Sequence, residues 1–420
     1  MRVLYSLIIY LAVPVVLLYM AWRSLKDRRW RARWSERFAF TGPDLQPGGV
    51  VVHAASVGEV NAAAGLIQAL QARPGAAPVN VTSFTPTGSA RLTALCGDTL
   101  AHAYAPLDLP GSTRRFLDRV QPRLLVIMET EIWPNLYHAS SQRGIPIVLV
   151  NARLSAASVR AYRRFRWLFG PALGQVRLAL AQTEEDARRL AACGLPAERI
   201  VVAGNLKYEM QLPPQLESGA AALRQKWGAE RPVLIAASTH AEDEPAVIEG
   251  FVTLKQTLPG ALLILVPRHP ERFAAAAAAA RRADLRTELY SDGPACSPAA
   301  DCFVINTMGK LQEYYACSDL AFIGGSFGPT GGHNPLEAAA LGLAIITGPN
   351  MSSFSEAHAQ LRAAGAVLTV NDNQELAQQA LALLSSPERR RTMGRSGRRL
   401  VESGRGALQR SLDEIDALLS

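Results

Sequence analysis

Two series of short apolar runs, each run separated from the next by a helical stretch, dominate this sequence. The first series is Gly49–Ala54, Val79–Ser83, Leu124–Met128, Ile147–Val150, Leu178–Ala181 and Ile200–Ala203. The second is Val233–Ala237, Leu262–Val266, Cys302–Ile305, Leu320–Ile323 and Ala344–Ile346. Short unbroken apolar runs alternating with helices suit parallel strands covered on both faces. The pattern predicts two doubly wound, Rossmann-like α/β domains facing one cleft. At 420 residues the chain is long enough for two cores. Leu212-Pro213-Pro214-Gln215 breaks the rhythm and marks the boundary. The expected division is an anchor and basic collar at 1–40, a first α/β domain at 41–212 and a second at 213–420. The basic helices from about Pro387 are expected to pack back across the first domain.

Val3–Trp22 contains no charged residue. As a helix it would be about 30 Å long, the thickness of a hydrocarbon core. Arginines follow at once, with Trp22, Trp30 and Trp34 among them. Positive charge on that side places the body of the protein at the cytoplasmic face of the membrane, next to anionic lipid. A cleaved signal peptide fits poorly, because only Arg2 precedes the run. Whether the helix spans the bilayer or lies in its interface stays open at this point. The collar also explains the net charge of +8: residues 1–40 hold eight Lys/Arg against two acids. The rest of the chain is close to neutral, so the charge is no nucleic-acid footprint. Cys96, Cys193, Cys296, Cys302 and Cys317 stand apart, which points to reduced thiols rather than a disulfide frame or zinc site.

Several strand-end segments carry candidate chemistry. In Ser56-Val57-Gly58-Glu59, a glycine in the first turn of a helix is about 1 kcal/mol worse than alanine, so close approach of a substrate is one reason for Gly58. Glu59 is then placed to take a proton from a hydroxyl; the same spacing also makes a plain capping box. Thr183…Asp186, Thr239…Glu242 and Asn334…Glu337 share that spacing, which lowers its value as a functional signal. Glu129-Thr130-Glu131 ends another strand and suits hydroxyl binding, acid/base work or capping. Lys207 follows the last strand before the linker, and Arg268 sits between prolines in Pro267-Arg268-His269-Pro270, where its fork matches phosphate or carboxylate oxygens. Met308-Gly309-Lys310 adds a turn with a cation. Gly331-Gly332-His333-Asn334-Pro335-Leu336-Glu337 runs a glycine turn into a helix start, with Asn334 as cap and Pro335 as first helical residue. Such a start favours a phosphate. Ser155–Phe169 carries Arg160, Arg163, Arg164 and Arg166 among aromatics, an interfacial segment or a solvated helix face. There is no G-x-G-x-x-G, Walker A or H-E-x-x-H motif, and the histidines lack metal-ligand spacing.

These segments, with Thr85-Pro86-Thr87-Gly88 and Asn151-Ala152-Arg153-Leu154-Ser155, together resemble the bacterial Kdo (3-deoxy-D-manno-octulosonic acid) transferases along nearly the whole chain. The resemblance implies a GT-B glycosyltransferase fold. It implies inverting transfer of Kdo from CMP-Kdo onto a lipid A precursor (lipid IVA) at the cytoplasmic face of the inner membrane, without a metal or other cofactor. It further implies Glu59 as general base and Glu129 and Lys207 as helpers of the transition state. Pro267, Arg268, Met308, Gly309, Lys310, Asn334, Pro335, Leu336 and Glu337 would bind CMP. Competing readings are a membrane-associated GT-B enzyme using a UDP-sugar, and a non-catalytic membrane-tethered scaffold.

Overall fold

The computed structural model describes residues 2–26, 28–31, 33–43, 45–73, 75, 77–97, 100–209 and 216–419. The Leu212–Gln215 boundary segment lies outside the described residues. The chain divides into two compact units, Met1–Glu209 with Gly404–Ser420, and Met210–Ser403. Each is taken by itself.

In the first unit the strands are β1 Val50–His53, β2 Val79–Ser83, β3 Ala101–Tyr104, β4 Leu124–Met128, β5 Ile147–Ala152, β6 Leu178–Ala181 and β7 Ile200–Val202. They form a parallel sheet in the order β3-β2-β1-β4-β5-β6-β7. The inner strands β1, β4, β5 and β6 are buried along their whole length. Helices cover both faces of that sheet and leave two apolar cores. The closing helix Ala407–Leu419 puts Ala407, Leu412 and Ile415 into the core on the side of the helix Val57–Gln71.

The second unit repeats the plan with β8 Val233–Thr239, β9 Leu262–Pro267, β10 Thr287–Leu289, β11 Cys302–Val304, β12 Leu320–Ile323, β13 Ala344–Thr347 and β14 Val367–Thr369. The order is β10-β11-β9-β8-β12-β13-β14, again all parallel. Three strands were not anticipated from the sequence: β3, β10 and β14. All three are sheet edges, and each is half-exposed over part or all of its length, so no continuous apolar run betrays them.

Both sheets reverse direction of build once, between β1 and β4 and between β8 and β12. Connections leave toward opposite faces at such a point and open a crevice at the carboxyl ends of the two strands. The loops after β1 and β4, and those after β8 and β12, are therefore the places to look for chemistry.

Candidate functional site: a carboxylate cluster and a histidine–glycine cluster

In the first unit, Ser56 caps the helix Val57–Gln71, its hydroxyl accepting the Glu59 N–H at 3.4 Å. The Glu59 carboxylate folds back over the same turn: Oε2 accepts the Ala55 N–H (2.8 Å) and Oε1 the Ser56 hydroxyl (3.0 Å). The capping box is real, and it also buries the carboxylate, which is 9% exposed. Burial pushes the Glu59 carboxyl up to about 7, and the negative charges of Glu131 and Glu129 push the same way; the Ala55 and Ser56 hydrogen bonds pull against them. At neutral pH the group therefore exchanges a proton readily, as a general base must. The Ala55 carbonyl accepts from Ser83 (3.2 Å) and from Thr85 (3.1 Å), so the Thr85–Gly88 motif braces the Glu59 loop. Gly58 has no such structural reason: a Cβ there would meet only Ser56 Oγ, at 3.8 Å.

Glu131, which leaves β4 two residues after Glu129, points at this loop. Its Oε2 accepts from His53 Nε2 (2.8 Å) and Trp133 Nε1 (3.1 Å). His53 Nδ1 is hydrogen-bonded to the Thr82 hydroxyl at 2.9 Å on the other side of the ring. Burial raises the Glu131 carboxyl, but the His53 hydrogen bond and charge, with Trp133, outweigh it and hold Glu131 below its ordinary value. Glu131 stays ionised and lifts Glu59. The sequence offered Glu131 only as half of a pair of carboxylates; His53 lies 78 residues away, and only the adjacency of β1 and β4 joins them.

Glu129 adopts the left-handed backbone region, φ 54°. Its Oε1 accepts from Lys207 Nζ at 3.2 Å and its Oε2 from Arg153 Nε at 2.9 Å. Asn151, also left-handed at φ 58°, accepts the Leu206 N–H and so fixes the turn that carries Lys207. The structure thus brings Glu129 and Lys207 together, with Glu59, at the carboxyl edge of one sheet. The Asn151–Ser155 segment, unassigned in the sequence, holds them there: Arg153 pairs with Glu129, Leu154 N–H binds Asp186, and Ser155 caps the next helix.

In the second unit Asp243, fully buried, organises the corresponding crevice. One oxygen accepts the N–H groups of His240 (2.8 Å) and Gly325 (2.7 Å), and the other that of Phe327 (3.1 Å). The sequence pointed one residue short, to Thr239…Glu242; β8 runs through Thr239 and shifts the cap to Asp243. His240 and His333 stack 5.1 Å apart with their Nε2 atoms 2.8 Å from one another, and His269 meets His240 edge-on at 5.3 Å. Burial drives His333 down to about 4, with His240, Arg268 and His269 adding repulsion. Burial also lowers His240, partly offset by Asp243.

Pro267 ends β9, and Arg268, whose N–H donates to the Thr239 carbonyl (3.0 Å), carries an exposed guanidinium with no ion pair among the described residues. In the turn after β11, Met308 is half-exposed, Gly309 has φ 82°, and Lys310 pairs with Glu313 at 2.9 Å. The Asn334–Glu337 turn corrects the expectation of a full capping box on Pro335. The helix is only Leu336–Ala340, and Asn334 Oδ1 accepts the Leu336 N–H (3.1 Å) while its Nδ2 donates to Glu337 (3.4 Å). So short a helix supplies local donors rather than a long dipole. The glycines ahead of it serve the protein's own packing: a Cβ on Gly324 would lie 2.5 Å from the Ser238 carbonyl oxygen, and one on Gly332 2.2 Å from Met351 Sδ. The Pro267–Arg268, Met308–Lys310 and Asn334–Glu337 segments all lie at the carboxyl edge of the second sheet. Among the described residues no group of three or more His, Cys, Asp or Glu is placed to hold a metal ion.

Residues 32–210 match the family model for 3-deoxy-D-manno-octulosonic-acid transferase (kdotransferase), and residues 295–400 that for group 1 glycosyl transferases. The 3-deoxy-D-manno-octulosonic acid transferase of Haemophilus influenzae is 39% identical over 421 residues, covering 100% of this chain and 99% of its own. The chain belongs to the Kdo transferase family. The transferase of Bordetella pertussis is 38% identical, covering 99% of both chains. The S. aureus MnaA–UDP co-structure superposes with a TM-score of 0.55 at 12% identity, over 89% of this chain and 97% of that one, a likeness of fold alone. The protein is thus a Kdo-transferring glycosyltransferase with two parallel-sheet α/β domains of the GT-B kind and an N-terminal apolar helix.

Proposed function

We propose that the protein transfers Kdo from CMP-Kdo, with inversion, onto a lipid A precursor at the cytoplasmic face of the inner membrane, with Glu59 as the general base. The observation that carries this reading is the buried Glu59 carboxyl, raised to about 7 in the first turn of the helix that follows β1. The acceptor hydroxyl oxygen bonds to the anomeric carbon of Kdo as that carbon's bond to the CMP phosphate oxygen breaks. The hydroxyl proton passes to Glu59, and the electron pair leaves with CMP. One base suffices for a single displacement.

Lys207, oriented by Glu129, supplies positive charge to the anionic transition state. Arg268 and the Asn334–Glu337 turn hold the phosphate of CMP, and Pro267, Met308, Gly309, Lys310 and Leu336 shape the rest of the nucleotide site. Cationic side chains meet the leaving-group charge in this scheme. The apolar helix Arg2–Lys26 keeps the enzyme beside its lipid acceptor, and the arginine-rich collar draws it to anionic lipid.

Incubation with CMP-Kdo and a tetra-acylated lipid A precursor, followed by mass spectrometry, tests the reading. Wild type should add Kdo and release CMP. Glu59→Gln should lose roughly 10²–10⁴-fold in rate while binding CMP with little change. Turnover near wild type in that variant would remove Glu59 as the base.

A further inference from the structure

The helix Arg2–Lys26 is long and apolar enough to cross a membrane, yet both of its ends are tied to the same folded unit. At its start, the Tyr5 hydroxyl donates to Asp108 Oδ2 (2.9 Å) and the Ser6 hydroxyl to Asn135 Oδ1 (3.0 Å). These acceptors are firm. Asp108 is 3% exposed and also takes the N–H groups of Asn135 (3.0 Å) and Leu136 (2.7 Å), the first turn of the helix Pro134–Ser141. At the other end the chain turns back, and Trp30 meets Tyr19 edge-on at 6.2 Å. Arg37, 2% exposed, lies over Trp30, Phe84 and Tyr104 and donates to the Phe84 carbonyl (2.9 Å). Its own carbonyl accepts the N–H of Leu107, the neighbour of Asp108.

Geometry forbids a span under these contacts. Ser6 and Ser24 are about 27 Å apart along the helix, close to the thickness of a hydrocarbon core. A crossing helix would carry Tyr5 and Ser6 to the far side, away from Asp108 and Asn135. Instead Ser6, Ile9, Val13, Val16, Met20 and Ser24, at helical spacing, form the less exposed line along the helix. The opposite side is apolar and open: Leu7, Leu11, Val15, Leu18, Trp22 and Leu25 are each at least half-exposed.

A second segment continues that surface. The helices Ala156–Arg164 and Arg166–Leu173 expose Phe165 and Trp167, with the exposed Arg160, Arg163, Arg164 and Arg166 around them and no acid from 155 to 169. Arg2–Lys26 and Arg166–Leu173 both pack on the helix Pro134–Ser141, so they flank it on one side of the sheet. Apolar and aromatic side chains ringed by arginine match the headgroup–acyl boundary of an anionic bilayer. We infer that Arg2–Lys26 lies in the plane of one leaflet, docked on the first unit through Tyr5 and Ser6, and with Ala156–Leu173 forms a single lipid-facing surface. The loop bearing Glu131 opens the helix between them, so this surface adjoins the carboxylate cluster.

The test uses the full-length chain in native membranes, in a Cys96→Ser background. Ser6→Cys with Asn135→Cys should cross-link intramolecularly under mild oxidant in most molecules. Val3→Cys should react with a membrane-impermeant maleimide in inverted vesicles and at least tenfold less in intact spheroplasts. Efficient labelling of Val3→Cys in spheroplasts would establish a span, and no cross-link would remove the docking of the helix on the first unit; either result overturns the proposal. Phe165→Cys carrying a polarity-sensitive fluorophore should shift to the blue on adding phosphatidylglycerol vesicles, and less with phosphatidylcholine. No shift with either would remove that segment from the surface. Membrane association itself belongs to the reading above; none of these readouts depends on sugar transfer, so a negative topology result leaves that chemistry standing.

Discussion

The two sheets share a plan but prepare opposite electrostatics at their switch points. The first gathers three carboxylates: Lys207 and Arg153 pair with Glu129, His53 and Trp133 hydrogen-bond Glu131, and Glu59, without a cation of its own among the described residues, is raised to about 7. The second half-buries His333 and lowers the pKa of both it and His240, holds its one organising carboxylate under three N–H groups, and leaves Arg268 exposed. In the proposed function the first environment serves the acceptor hydroxyl and the second the phosphate leaving group. The glycines differ in the same way. Gly58 has open space beside it, whereas Gly324 and Gly332 are pressed against the protein itself. A glycine-rich turn alone therefore says little about ligand binding; what a Cβ would meet says more.

Breaking the comparison at its strongest point means removing Asp243. Asp243→Ala leaves three N–H groups without their acceptor, at about 1–3 kcal/mol each. The second unit should lose several kcal/mol in chemical denaturation, and the His53–Glu131–Glu59 geometry of the first should remain. A variant as stable as wild type would show that the glycine loop is held by something else. Arg268→Ala is smaller: loss of a charge-assisted contact should weaken CMP binding roughly tenfold to a hundredfold by calorimetry, without a change in unfolding midpoint. Unchanged affinity would move the phosphate elsewhere. Gly58→Ala is the mildest. It should stabilise the helix Val57–Gln71 by up to about 1 kcal/mol yet raise KM for the lipid acceptor; an unchanged KM would mean that no substrate passes close to Gly58.

Inner strands were legible because both their faces are buried and their residues run apolar without a break. The edge strands Ala101–Tyr104, Thr287–Leu289 and Val367–Thr369 were not, since a half-exposed edge tolerates His, Glu and Thr. At the site, strand ends named the loops of Glu59, Glu129, Lys207 and Arg268. Pairings across strands were beyond reach: His53 with Glu131, Arg153 with Glu129, and Asp243 with Gly325 join residues 78, 24 and 82 apart. The short Leu336–Ala340 helix was misread because Asn-Pro before a helix looks the same whether its cap reaches the second or the third N–H.

The central claim is that neighbouring carboxylates tune Glu59, and the pH dependence of kcat/KM tests it. Glu59 must be deprotonated to act, so the rate should fall as pH drops through about 7. Glu131→Gln removes a charge that raises Glu59 and should move this acid limb to lower pH. A wild-type profile flat from pH 8 to pH 5, on about the scale of the raised carboxyl, or a limb unmoved in Glu131→Gln, would contradict the account.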